Sequence, residues 1–242
     1  MAKLPRAILF DMDDTILAVS GSAQRVWMRI AEEFTAALAP LSPEDVVAAI
    51  EAQSQLLWSD TEWNRQWRVR LVEARRHVVA SAFAVLAGGG QPVPKAEVGN
   101  RMADLFTMLR DDELTVFPGA HETLDQLKQL GVRLALITNG AGEPQRAKVI
   151  RFALAERFDH VQIEGEHGFG KPEERAYTHA MEALGVGPRD TWMVGDNLEW
   201  EIVAPQRLGI YAIWYDGYGT GLPPECPVRP DRIIRSLTEL LL

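Results

Sequence analysis

Three acids, Asp11, Asp13 and Asp14, follow directly on the apolar run Ala7-Ile8-Leu9-Phe10. Carboxylates this close repel one another unless a cation offsets their charge, and the hard cation that oxygen ligands favour at a phosphate site is Mg²⁺. Asp11 is the first residue past the run. The two-residue period of extended chain turns Asp13 to the same side and Met12 to the other. One acid can then attack while the other handles a proton.

Three later stretches have the same form, an apolar run opening into chemistry. Leu134-Ala135-Leu136-Ile137 leads into Thr138-Asn139-Gly140, where a hydroxyl and backbone N–H groups left uncrowded by Gly140 can donate to a phosphate oxygen. Gly168-Phe169-Gly170-Lys171-Pro172 offers a lysine on a Gly-rich loop, and a compact ammonium suits a phosphoryl group. Pro172 suits the first turn of a helix starting at Glu173. Thr191-Trp192-Met193-Val194 ends in Gly195-Asp196-Asn197, with Glu201 five residues beyond Asp196.

In this order the four stretches resemble motifs I to IV of the haloacid dehalogenase (HAD) superfamily, which consists mostly of phosphoryl-transfer enzymes. The last motif usually reads G-D-x-x-x-x-D, and here Glu201 takes its final position, which leaves the role of that acid open. The resemblance implies a phosphatase in which Asp11 attacks phosphorus to give an aspartyl phosphate. Asp13 then protonates the leaving alkoxide and deprotonates the hydrolytic water. Thr138, Asn139 and Lys171 would hold the phosphoryl oxygens, and Mg²⁺ would be held by Asp11, Asp196 and the Asp13 backbone carbonyl. Asn197, Gly140 and Glu201 are secondary candidates.

The elements that must position these residues alternate from Val116 onward. Helices are expected over 119–130, 144–156, 172–184 and 200–208, with strands over 132–137, 160–163, 192–194, 210–214 and 233–234 and a terminal helix. With 7–10 these strands predict an α/β fold, a doubly wound parallel sheet of Rossmann type with all four motifs at or just beyond carboxyl ends of strands. Residues 18–112 break the alternation and read as helices alone, with Ser42-Pro43-Glu44-Asp45 as a capped helix start. An α-helical insertion there resembles the family's C1 cap, a lid that selects the leaving group. The expected domains are therefore a core of 1–17 and 113–242 and a cap of 18–112.

Within the cap, Trp63, Trp67, Leu71, Ala74 and Val78 are spaced as one buried stripe on one helix. Arg65, Arg68, Arg75 and Arg76 share another face of that helix, either as a solvated basic stripe paired with acids such as Glu62 and Glu73 or as contacts for a second anionic group on the substrate. The five histidines are scattered, and only His167 lies near a motif, as a surface loop residue.

Composition sets the outer limits. The 242 residues are 47% hydrophobic and 24% charged, enough for one large domain or a domain with an insertion. A net charge of −9 opposes a nucleic-acid-binding face, since phosphate backbones are held by clustered Lys and Arg. The single cysteine, Cys226, excludes an intrachain disulfide and reads as an inert loop thiol. Neither a signal peptide nor a membrane span is expected, so the reading is a cytoplasmic enzyme acting on a small phosphorylated metabolite. A sugar phosphomutase would keep all four motifs. Asp13 argues against a haloacid dehalogenase, whose halide needs no general acid. A catalytically idle binding scaffold is the alternative from another class.

Overall fold

Ala7-Ile8-Leu9-Phe10 is apolar throughout because β1 (Ala7–Phe10) is fully buried inside a parallel sheet, where both faces of a strand are covered. The computed structural model describes residues 4–242, so the part of the signal-peptide expectation that falls on residues 1–3 lies outside the described residues. A short antiparallel pair, β2 (Leu17–Ala18) and β3 (Thr115–Val116), stands where the chain departs from this unit and returns to it. The main sheet is completed by β4 (Arg133–Thr138), β5 (His160–Ile163), β6 (Thr191–Gly195), β7 (Tyr211–Tyr215) and β8 (Arg232–Ile234). Its order is β5-β4-β1-β6-β7-β8 and every pairing is parallel. The chain moves outward from β1 through β4 and β5, then returns to the other side of β1. That reversal is where open α/β sheets bind ligands.

The chain divides into two units, one built from the chain up to Ala18 together with Thr115–Leu242, the other from Val19–Leu114. The second unit is all helical: α1 (Ala23–Glu33), α2 (Thr35–Leu38), α3 (Pro43–Ser59), α4 (Thr61–Trp67), α5 (Leu71–Gly88) and α6 (Ala96–Asp112). It has its own core, in which Trp27 stacks on Phe106 with ring centroids 4.0 Å apart. At the start of α3 the Ser42 side chain accepts from Asp45 N at 3.1 Å, and Pro43 sits in the first turn, where its missing N–H costs nothing.

The tryptophan and arginine stripes need correction. Residues 68–70 leave the helix, so Trp63 and Trp67 lie on α4 while Leu71, Ala74 and Val78 lie on α5. The turn lets Trp63 pack against Trp58, Trp67 and His77 together, which a continuous helix could not arrange. The four arginines accordingly do not share one face. Arg65 pairs with Glu62 at 3.2 Å, Arg76 holds Asp104 with two bonds of 2.7 and 2.8 Å, and Arg68 is buried. Arg75 lies over the Phe106 ring beside a cavity of about 400 Å³ that Arg110 also lines.

Around the sheet run α7 (Ala120–Gln129), α8 (Gly142–Arg151), α9 (Glu164–His167), α10 (Glu174–Leu184) and α11 (Ala204–Arg207). The helix expected over 172–184 starts only at Glu174, with Glu173 as its N-cap in extended backbone and Pro172 in the preceding loop rather than in the first turn. The helix expected over 200–208 is a π-helical turn, Leu198–Val203, followed by α11. Pro205 explains the change. It has no N–H to continue a regular α-helical ladder, and the wider turn closes directly ahead of it, with Ala204 N donating to Glu199 O. The terminal helix is a 3₁₀ turn, Leu237–Leu241, held by a reciprocal Ser236–Glu239 cap. Among the described residues, no helix is long and apolar enough to cross a membrane.

Candidate active site

Because β4 and β6 flank β1 in register, with Phe10 opposite Leu136 and Val194, the three strands deliver their next residues to one place. Asp11, Thr138 to Gly140 and Asp196 therefore gather at one edge of the sheet. The Asp11 amide donates to Val194 O at 3.0 Å, carrying the ladder one residue past the strand and holding the carboxylate at its mouth.

Lys171 comes in on the loop after α9. Its Nζ lies 2.5 Å from Asp11 Oδ1 and 2.8 Å from Glu201 Oε1, and the side chain is wholly buried. The loop is bolted to its neighbour by a reciprocal pair: Asn139 Nδ2 donates to Lys171 O at 2.7 Å and Lys171 N donates to Asn139 Oδ1 at 2.8 Å. Gly170 is needed there, since a Cβ would collide with Asn139 Oδ1 and the Glu164 side chain. Asn139 thus spends its amide on positioning Lys171. Gly140 N donates to Glu164 Oε2 at 2.9 Å.

Glu201 rests against Gly195, where any Cβ would strike its side chain. Its Oε2 accepts from Asn197 N at 2.7 Å. Asn197 in turn caps the π-helical turn by accepting from Glu199 N and Trp200 N, both at 3.0 Å. Asn197 is therefore a folding device for the turn that carries Glu201. The longer Glu side chain in place of Asp reaches the Lys171 ammonium.

The charges show what this cluster is suited to hold. Burial pulls the Lys171 ammonium down, but the carboxylates of Asp11 and Glu201 outweigh it and hold the group above its ordinary value. Burial raises Asp11, only partly countered by Lys171. Glu201 is pushed up to about 7 by burial, against the pull of Lys171. Asp196 is also held well above the ordinary carboxylate range, by burial first and then by the charges of Asp11 and Glu201. With Asp11, Asp196 and Glu201 ionised against the single charge of Lys171, three negatives meet one positive. Asp11 Oδ2 is also buried with no hydrogen-bond partner. An oxygen-bound divalent cation fits both facts: it would neutralise the excess and give that orphaned oxygen a partner.

Asp13 is treated differently. Its two oxygens lie 2.9 and 2.8 Å from Lys148 Nζ, and Oδ2 also accepts from Gln145 Nε2 at 3.0 Å. Gln145 is 2% exposed, and the same nitrogen reaches Thr138 Oγ1 at 2.6 Å and Asn139 O at 3.0 Å. Two N–H groups shared among three acceptors tie the first acidic stretch to the second loop. Sequence reading missed both residues. The usable signal was their i, i+3 spacing on the helix that begins right after Thr138-Asn139-Gly140, which puts them on one face next to that loop.

A model of haloacid dehalogenase-like hydrolases matches residues 5–209, and the chain belongs to that family. Among curated relatives it is 36% identical over 160 residues to a phosphoserine phosphatase of Thermus thermophilus, covering 66% of this chain and 61% of that one. It is 34% identical over 137 residues to a glyceraldehyde 3-phosphate phosphatase of Pyrococcus furiosus, covering 56% and 55%. Both matches span less than two thirds of the relative. An N-acylneuraminate-9-phosphatase of Rattus norvegicus is matched almost end to end, at 27% identity over 97% of this chain and 92% of the relative. The magnesium-bound structure of the HAD-hydrolase YfnB from Bacillus subtilis shares the fold, with a TM-score of 0.73 at 24% identity over 98% of this chain and 97% of that one. A 2-haloacid dehalogenase from Pseudomonas syringae pv. Tomato reaches 0.59 at 25% identity over 98% of each chain.

Proposed function

We propose that this chain is a Mg²⁺-dependent phosphatase that hydrolyses small phosphomonoesters through an aspartyl phosphate on Asp11. One observation carries the reading: the ammonium of Lys171 anchors the Asp11 carboxylate at 2.5 Å while Lys148 and Gln145 hold Asp13 separately, so the first acid is fixed in place for attack and the second for proton transfer. Asp11 forms the bond to phosphorus as the bond to the leaving oxygen breaks. Asp13, held by Lys148 and Gln145, gives that oxygen a proton and later takes one from the water that cleaves the acyl phosphate. Thr138 and Lys171 hold the phosphoryl oxygens, while Asn139 keeps Lys171 in place. Mg²⁺ held by Asp11, Asp196 and the Asp13 backbone carbonyl would offset the charge of a carboxylate approaching a dianion. The helical stretch 18–112, inserted between the first two motifs, is read as the cap that selects the leaving group.

The named phosphatase relatives support this class of substrate. The fold itself is shared with a dehalogenase and does not separate the activities. Asp13 favours the phosphatase reading over C–halogen cleavage, since an alkoxide needs a proton on departure and a halide does not. Phosphate release from a panel of phosphomonoesters, with and without Mg²⁺, tests the proposal. Release from at least one ester only with Mg²⁺ is expected, and none from any ester would return the idle scaffold.

A further inference from the structure

Three of the five histidines are brought together by the fold from separate elements: His160 on β5, His167 at the end of α9 and His179 on α10. One ring nitrogen of each lies within 4.8 Å of those of the other two. The scatter read along the chain is undone by the short α9, which turns back beside β5 and sets His167 next to His179, with ring centroids 5.4 Å apart.

The surrounding hydrogen bonds fix what these rings can do. Gln162 Nε2 donates to Ala176 O at 2.9 Å, which aims its oxygen at His179 Nδ1, 2.8 Å away. An amide oxygen only accepts, so His179 Nδ1 carries the hydrogen and Nε2 keeps its lone pair. His167 Nδ1 faces Ile163 O at 3.1 Å and is bound by the same logic. His160 Nε2 is buried and has no partner at all. An imidazole that donates one N–H to a carbonyl oxygen while its other nitrogen stays open is the usual arrangement of a metal ligand. Three neutral nitrogens suit a borderline transition metal and not Mg²⁺ or Ca²⁺.

We infer that His160, His167 and His179 form a binding site for one Zn²⁺-like divalent transition metal, with a fourth position left for water. The site is separate from the acidic cluster. It would cross-link β5, α9 and α10 around Phe169, which packs against both His167 and His179 and lies two residues upstream of Lys171. Bound metal would therefore brace the loop that carries that lysine.

The test uses the full chain, stripped with EDTA, desalted, then equilibrated with Zn²⁺ in excess Mg²⁺ and passed through gel filtration, with retained zinc counted by atomic emission. Wild type should retain one equivalent and gain thermal stability from it. His160→Ala and His179→Ala should lose the equivalent, and Asp196→Asn should keep it. His179→Gln, which preserves side-chain bulk and polarity, serves in place of any alanine variant that fails to fold by circular dichroism. Retention by the histidine variants equal to wild type, loss in Asp196→Asn alone, or no zinc held by wild type against Mg²⁺ would each overturn the inference.

Discussion

Lys148 clasps Asp13 across 135 residues of chain, its Nζ lying 2.9 Å from one carboxylate oxygen and 2.8 Å from the other. The pair is only partly exposed, 14% at the lysine and 31% at the acid, so solvent screens it less than a surface pair. If Asp13 moves protons, Lys148 sets where its carboxylate waits. Lys148→Met should lower kcat by roughly ten- to a hundredfold, part of what a general acid–base group supplies, with little change in KM. In an Asp13→Asn background the same change should cost almost nothing, because its partner is gone. Additive losses in that cycle would detach Lys148 from Asp13.

Asp11→Asn should fold yet lose nearly all turnover, since an amide is not a nucleophile. Wild type given an acyl-phosphate donor and quenched in acid should carry the label on Asp11. Label on another residue would redirect the mechanism.

Asp13→Asn should reveal its role through the leaving group. An alkyl phosphate departs as a strongly basic alkoxide that needs a proton, whereas p-nitrophenolate leaves without one. Single-turnover phosphorylation should fall by about 10² to 10⁴ with the alkyl ester and much less with the nitrophenyl ester. Hydrolysis of the intermediate then limits, giving a nitrophenol burst. Equal losses on both esters with no burst would rule out acid–base catalysis by Asp13.

The acidic cluster makes stability depend on pH and metal in a stated direction. Asp11, Asp196 and Glu201 are all raised in the fold, Glu201 from 4.5 to about 7, chiefly by burial. Between those two values the native state keeps a proton that the unfolded chain has lost, so this contribution is present at low pH and disappears as pH rises. In EDTA, the melting temperature of wild type should fall relative to Glu201→Gln between about pH 4.5 and 7. Mg²⁺ should reduce that fall by favouring the ionised acids, and should restore the activity that EDTA removes. Parallel pH curves for the two proteins in EDTA would show that Glu201 does not titrate in this window.

Much of the fold and of the site was legible along the chain because each strand of the sheet is a short apolar run that stops at its chemistry. Ala7 to Phe10 must be buried, so Asp11 must stand at its end, and the same logic puts Thr138 at the last position of β4 and Asp196 just after β6. Local pattern sufficed for these, as it did for the α/β alternation and for the helical character of the insertion. Helix interruptions were not legible: the break at residues 68–70 follows from aromatic packing among Trp58, Trp63, Trp67 and His77, and the π-helical turn from Asn197 and Pro205 acting together.

Pairings between distant residues were decided by the tertiary structure alone. Lys148 reaches Asp13, Glu201 reaches Lys171, and three histidines meet, because parallel crossovers bring elements side by side that are far apart in sequence. Periodicity tells which face of an element is buried. It carries no record of what stands opposite, and a charge or an imidazole acquires its role only from that neighbour.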